Sequence, residues 1–222
     1  MDIYEELQPW GKTLYQIESD SYTTFNTAIQ KVELITNPHF GRILFLDGVL
    51  QSASADEHIY HEALVGAGMR PDSSSVLIAG GAEGAVAREV LKCSSVTHVQ
   101  MIDWDAELVY HLHQAEKMNE HIWSDSRFHY SGKDIVRFCE ETTMSFDTVF
   151  LDLLDIDSEK DEQITENILK WIKSILKENS IVVMNIGRSK ETAKKFAGAK
   201  GEIIEILVPS FQEPWYLVKL KF

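Results

Sequence analysis

Acidic residues recur where short apolar runs end. Val76 to Ala79 (VLIA) leads into Gly80-Gly81-Ala82-Glu83-Gly84-Ala85, and His98 to Ile102 ends at Asp103. Arg127 to Tyr130 leads into Gly132-Lys133-Asp134, and Phe146 to Leu151 into Asp152-Leu153-Leu154-Asp155-Ile156-Asp157. Carboxylates accept hydrogen bonds from hydroxyl and amino groups and balance cations. Glu83, in a turn of small residues that lets backbone approach a ligand, would repel phosphate and welcome a cation; alternatively it stands exposed on a tight turn. The turn is not GxGxxG, which argues against a dinucleotide pyrophosphate. Asp103 follows Gly80 by 23 residues, a spacing at which an acid takes ribose hydroxyls; the alternative is a helix cap, a task Asp105 could fill instead. Asp134 either accepts from an adenine amino group or caps a short helix. Asp152, Asp155 and Asp157 either face cations or form a solvated loop. Taken together, the acids describe a pocket for a nucleoside carrying positive charge and needing no phosphate, the character of S-adenosylmethionine-type ligands.

The elements that must position these residues fall into two textures. Before about residue 60, β-type runs dominate: Ala28 to Ile35 and Arg42 to Leu46, punctuated by the turn signals Asn37-Pro38 and Asp47-Gly48. Residues 1–55 read as a small antiparallel β domain. From 56 to 222 strands and helices alternate. The predicted strands are Val76 to Ala79, His98 to Ile102, Arg127 to Tyr130, Phe146 to Leu151 and Ile181 to Ile186. Helices are predicted over Ala85 to Cys93, Ala106 to Met118 and Gln163 to Lys177, the last from apolar residues at three- and four-residue steps. Ile203 to Val208 and Trp215 to Leu220 read as a closing antiparallel pair. The alternation predicts an α/β, Rossmann-like, mostly parallel sheet with helices on both faces, whose ligands bind at the C-terminal strand ends.

Composition excludes several classes. Of 222 residues, 35 are Asp or Glu and 21 are Lys or Arg, for a formal net charge of −14. Nucleic acid and anionic membrane, which need a basic face, are therefore not expected partners. The two cysteines, Cys93 and Cys139, make no disulfide framework or zinc spacing. No metal cluster is evident; His111 and His113, two apart on a predicted helix, diverge and read as solvated. No run approaches the ~20 apolar residues of a membrane span, and the start, MDIYEELQPW, has no signal-peptide core. A cytoplasmic protein is the expectation.

Several segments resemble the polyamine aminopropyltransferases, the spermidine and thermospermine synthase family. They are Gln30, Gly41 with Leu46-Asp47-Gly48-Val49-Leu50-Gln51, the signature-like Asp56-Glu57-His58-Ile59-Tyr60-His61-Glu62, the glycine turn with Ala87-Arg88-Glu89-Val90, Asp152-Leu153-Leu154-Asp155, and Val208-Pro209-Ser210-Phe211 with Trp215. The resemblance implies a class I methyltransferase-type fold and transfer of the aminopropyl group of decarboxylated S-adenosylmethionine, as co-substrate and without a further cofactor, to a polyamine. It implies that Gln30, His61, Gly80 and Asp103 touch the donor, that Asp134 and Ile135 meet its adenine, and that Glu83 holds its ammonium. Asp152 would be the base, assisted by Tyr60, while Gln51, Glu62 and Asp155 position the acceptor. A homodimer or homotetramer paired through the N-terminal β domain is likewise implied. Four positions depart from the family pattern: Ala82 for glycine, Glu83 for aspartate, Ile156 for proline and Asn185 for glutamine.

The chemistry fits the residue types. An amine of pKa about 10.4 is protonated at neutral pH, and freeing its lone pair at pH 7 costs roughly 4.6 kcal/mol. A carboxylate that takes the proton meets that need, and a sulfonium is already an activated leaving group. Two other readings share the pocket: a methyltransferase using intact S-adenosylmethionine, and a non-catalytic polyamine- or nucleoside-binding homologue. Glu83 separates the first, because its charge would repel a donor that keeps its carboxylate.

Overall fold

The computed structural model describes residues 2–8 and 11–222; Met1, Pro9 and Trp10, inside the expected N-terminal domain, lie outside the described residues. The chain divides into two compact units, one of residues 1–60 with 207–213, the other of residues 61–206 with 214–222.

The first unit is built of antiparallel β structure. β1 (Asp2–Gln8) and β2 (Gly11–Ile17) form a hairpin, and β3 (Thr23–Asn26), β4 (Lys31–Asn37), β5 (Gly41–Leu46) and β6 (Val49–Ala53) form a four-stranded sheet in sequence order. Alternation sets its core: Tyr15, Ile35, Ile43, Phe45, Leu50 and Ala53 are buried together. The two turn signals act as read. Asn37 Oδ1 accepts from the backbone N–H of His39 and Phe40 (2.9 Å each), and Asp47-Gly48 closes the β5–β6 hairpin with Asp47 at φ 50°. Alternating polar residues hid β1, β2 and β3 from a search for apolar runs. In the β1–β2 hairpin, Glu6 and Tyr15 carry the inward contact: the Tyr15 hydroxyl donates to Glu6 Oε2 at 2.7 Å, and Leu50 N–H donates to Glu6 Oε1 at 2.9 Å.

The second unit is organised by a seven-stranded sheet. Its strands are β7 (Ser75–Gly80), β8 (His98–Ile102), β9 (Phe128–Ser131), β10 (Phe146–Asp152), β11 (Leu176–Gly187), β12 (Glu202–Leu207) and β13 (Pro214–Lys221), in the spatial order β12-β13-β11-β10-β7-β8-β9. β7 to β11 run parallel and β13 antiparallel to β11. Every residue of β7 is buried, as expected for a central parallel strand covered on both sides. Alternation sorts the two faces. Leu77, Ala79, Val149, Leu151, Val182 and Met184 pack with Ile135 and Phe138 of α4 (Ile135–Glu141) and Ile168 and Ile172 of α5 (Glu159–Lys173). On the other face, Phe150 and Val183 meet Gly68 at the end of α1 (Glu57–Gly68). α2 (Ala85–Leu91), α3 (Ala106–Gln114) and α6 (Lys190–Ala197) complete the set. Burying an aromatic or aliphatic side chain of this kind contributes about 1.5–3 kcal/mol.

Several boundaries differ from expectation for identifiable reasons. α3 stops at Gln114, and the left-handed residues Lys117 and Asn119 precede a 3-10 turn over Glu120–Ser124. α5 starts four residues early, because Ser158 caps it and its first turn is the polar Glu159, Asp161 and Glu162, which suits the positive end of the helix dipole but leaves no apolar mark. It also ends at Lys173, and β11 begins at Leu176 within the expected helix. α6 was not predicted; Ser189 caps it and only Ala193 and Ala197 are buried. His113 is not simply solvated: its ring stacks on Trp123 with centroids 4.3 Å apart. Among the described residues no helix is long and apolar enough to cross a membrane.

Candidate active site

Parallel strands finish along one edge, so Gly80, Asp103, Asp134 and Asp152 are delivered to the same side of the second unit's sheet. The strand order reverses between β7 and β10, where such sheets open a crevice. There Gly80 and Asp152 are register partners. Gly80 sits at φ 86°, and a Cβ on it would overlap the Asp152 carbonyl, so only glycine lets the two strand ends close. A Cβ on Gly81 would stand 3.8 Å from Asp152 Oδ2, which places that carboxylate beside the glycine turn.

Glu83, at the far end of this turn, approaches His61: Nε2 and Oε1 are 3.2 Å apart, with side chains only 5% and 11% exposed. This brings together two of the predicted donor residues and argues against a freely solvated turn. Glu62, beside His61 on α1, is exposed.

The cap that Asp103 could have supplied is supplied by its neighbour. Asp105 caps α3, accepting from Leu108 N–H at 3.0 Å. Asp103 Oδ1 accepts from Asp105 N–H at 2.9 Å, yet burial, with added repulsion from Asp105 and Asp152, pushes its carboxyl up to about 6. Tyr130 donates its hydroxyl to the Asp103 carbonyl (3.3 Å), and its own pKa is pushed up to about 12 by burial and these acids. Asp134 does cap a helix: its Oδ1 accepts from Val136 and Arg137 N–H at 2.9 and 3.1 Å, and the residue is exposed, with Ile135 buried behind it.

Asp155 lies in a polar wall. Asn185 donates Nδ2–H to Asp155 Oδ1 at 2.8 Å, and Trp215 donates Nε1–H to Asn185 Oδ1, also at 2.8 Å. The Arg188 guanidinium lies 5.5 Å from the Trp215 ring centroid. Burial raises the Asp155 carboxyl to about 6; repulsion from Asp157 and Asp152 adds to this, while Asn185 and Arg188 oppose it. Past Ile156 a cleft of about 360 Å³ is lined by Asp157, Glu159, Glu162 and Arg188. The strand's other end shows what a purely structural acid looks like: Asp147 accepts from the backbone N–H of Ser74 and Ser75 at 2.9–3.2 Å.

Gln30, Gln51 and Tyr60 belong to the first unit. Gln30 closes a turn with Thr27, whose Oγ1 accepts the Gln30 N–H at 3.1 Å. Gln51 is exposed on β6. Tyr60 is buried, its ring meeting Phe211 edge-on with centroids 6.0 Å apart. Asp56, from the signature-like segment, is structural: it accepts from Ser210 N–H at 2.7 Å and from the Ser210 hydroxyl at 2.9 Å. No role in the polar wall beside Asp155 was expected of Trp215 from the sequence; its indole N–H, which needs an acceptor when buried, was the available signal.

Known proteins resemble this chain in sequence and in fold. A spermine/spermidine synthase domain model matches residues 57–216, and a spermidine synthase tetramerisation domain model matches residues 11–54. A Hyperthermus butylicus protein named polyamine aminopropyltransferase 1 is 32% identical across 95% of this chain and 77% of its own. A Ruegeria polyamine aminopropyltransferase is 32% identical across 76% of this chain and 61% of its own. The crystal structure of a Thermotoga maritima spermidine synthase superposes with a TM-score of 0.83 at 19% identity, covering 99% of this chain and 79% of that one. A spermidine synthase solved with the transition-state analogue AdoDATO gives 0.87 at 19% identity, covering 99% and 80%. The two structures share the fold, and the sequence matches carry the kinship: this chain belongs to the spermine/spermidine synthase family, whose relatives here are named polyamine aminopropyltransferases.

Proposed function

We propose that the protein transfers the aminopropyl group of decarboxylated S-adenosylmethionine to an amine of a polyamine, releasing methylthioadenosine. The observation that carries this reading is the gathering of acids at the β7–β10 strand ends, where Asp152 adds its charge to both Asp103 and Asp155 and burial with neighbouring acids raises each of those two to about 6, while Glu83 stands at the end of the adjoining glycine turn. Such a site is relieved by cations. The donor brings a sulfonium and an ammonium, and the acceptor brings two or more ammonium groups.

Asp103 accepts from the ribose hydroxyls, Asp134 and Ile135 flank the adenine, and Glu83 exchanges His61 for the donor ammonium. Asp155 holds an acceptor ammonium, with the Asp157 cleft leading away for the rest of the chain. The attacking ammonium gives its proton to Asp152. The freed lone pair forms the new N–C bond to the methylene carbon, and the C–S bonding pair returns to sulfur, which leaves as the neutral thioether. The nitrogen keeps its other hydrogens and ends as a secondary ammonium. Charge-assisted hydrogen bonds of about 1.5–3 kcal/mol each suffice for micromolar binding after association costs, and alignment of N, C and S supplies much of the rate. Gln30 on the donor, and Tyr60, Gln51 and Glu62 on the acceptor, carry the roles that the family resemblance implies. The domain limits of 1–55 and 56–222, a cytoplasmic site of action, and assembly as a homodimer or homotetramer through the N-terminal domain are proposed on the same basis.

The test is methylthioadenosine release from decarboxylated and from intact S-adenosylmethionine with a panel of di- and triamines, products resolved by mass. Release from the decarboxylated donor with at least one amine is expected. No release with any amine, or methyl transfer from the intact donor, refutes the proposal.

A further inference from the structure

The segment between α3 and β9 reaches across to the glycine turn. Asn119 Nδ2–H donates to the Glu83 backbone carbonyl at 2.9 Å. Arg88 Nη1–H donates to Asn119 Oδ1 at 3.1 Å, while Arg88 Nε–H donates to Glu89 Oε1 at 2.8 Å. One side-chain amide therefore bridges the helix after the turn to the backbone of the turn itself. Asn119 occupies the left-handed region at φ 47°, which Asn tolerates better than most residues. Gly84, at φ 80°, closes the same contact: a Cβ there would come within 2.6 Å of Ile122 Cδ1 and 3.5 Å of Asn119 Cβ. Ile122 is fully buried, so the anchor is firm. Within the turn, Gly84 N–H donates to the Gly81 carbonyl at 2.8 Å.

Gly81 and Gly84, which bracket Ala82-Glu83, give this turn backbone freedom that must be removed before the carboxylate can meet a ligand in one place. We propose that Asn119 is a positioning residue for the donor: its amide fixes the Glu83 carbonyl, and through it the direction of the Glu83 carboxylate. This rests on the reading of Glu83 as the partner of the donor ammonium. The bridge serves the donor and not the acceptor, so it acts on one KM.

Two variants separate this role from simple stability. Asn119→Gly keeps the left-handed backbone and loses the amide. Asn119→Asp keeps the size and the acceptor for Arg88 but turns an oxygen toward the Glu83 carbonyl. A merely structural residue would tolerate the aspartate, which gains an ion pair with Arg88, better than the glycine. Positioning predicts the reverse. For Asn119→Asp, the expected rise in donor KM is about tenfold, equivalent to ~1.4 kcal/mol. For Asn119→Gly it is a few-fold, and in both variants acceptor KM and kcat stay within about twofold. Amide hydrogen exchange at Glu83, Gly84 and Ala85 should quicken in both. Unchanged donor KM, a proportional rise in both KM values, or unchanged exchange in the turn would overturn the inference. If the wild-type chain releases no methylthioadenosine, the proposed function fails, and the exchange measurement alone decides whether Asn119 holds the turn.

Discussion

Replacing Asp155 with asparagine should make the protein more stable while spoiling its acceptor site. Burial and the neighbouring Asp157 and Asp152 raise this carboxyl from 3.8 to about 6, against the opposing influence of Asn185 and Arg188. A carboxyl with a folded-state pKa above its unfolded value binds more protons when native, so its contribution to stability is present at low pH and is lost as pH rises from about 4 through 6. Each pKa unit corresponds to 1.36 kcal/mol, so the ionised group costs about 3 kcal/mol at pH 7. An asparagine side-chain oxygen accepts the same Asn185 hydrogen bond without the charge. In a chain of this size about 3 kcal/mol shifts Tm by roughly 6–12 °C. Thermal unfolding of Asp155→Asn and wild type should give superimposable Tm values at pH 3.5 and a gap that opens to its full size above pH 6. In methylthioadenosine assays the variant should show a raised acceptor KM. A variant less stable than wild type at pH 7, or a gap that does not change with pH, would refute the account of Asp155 as an anion destabilised by burial and neighbouring acids.

The same raised carboxyls set the acid limb of the pH–rate profile: well below about 6 Asp155 is neutral and ceases to attract ammonium, and Asp103 is protonated and loses acceptor capacity for the ribose hydroxyls, so kcat/KM should fall as pH drops through 6, and a profile flat to pH 5 contradicts this. Glu83→Gln should weaken the decarboxylated donor by about tenfold or more and leave the intact donor unaffected or better bound, read by calorimetry with each; equal losses would remove Glu83 as the ammonium partner. Gly80→Ala, which forces a Cβ onto the Asp152 carbonyl at φ 86°, should cost several kcal/mol in chemical denaturation by the strain and clash route; a loss under about 1 kcal/mol would mean that the β7–β10 junction gives way easily.

Much of this molecule was legible in its sequence because its physics is local. Buried parallel strands are apolar runs, and the acids just past them stood out by contrast. The β1–β2 hairpin was not legible as strands, since its alternating residues mix Ile3 and Leu7 with Glu5 and Lys12 and bury Glu6 through a partner 44 residues away, Leu50. α6 was hidden because it buries only two alanines. At the site, Asp103 and Asp134 follow the ends of β8 and β9 as the sequence suggested, but which acid caps which helix was open; that Asp105 takes the α3 cap and Asp134 the α4 cap rests on hydrogen bonds no spacing reveals. Asn185, read only as a departure from the family pattern, is the link between Trp215 and Asp155. Asn119 left no signal in the sequence beyond being a residue type that tolerates the left-handed conformation it takes before the 3-10 turn Glu120–Ser124.

The central claim is that Asp152 takes the proton of an amine lined up on a bound aminopropyl donor. Its most direct test pairs donor binding by calorimetry with methylthioadenosine formation in a single turnover, for wild type and Asp152→Asn. The account predicts donor affinity within a few-fold of wild type and a turnover slowed by about 10²–10⁴, recovering as pH is raised toward the amine's own pKa. Wild-type turnover by the asparagine variant, or slowing that follows a loss of donor binding in proportion, would contradict it.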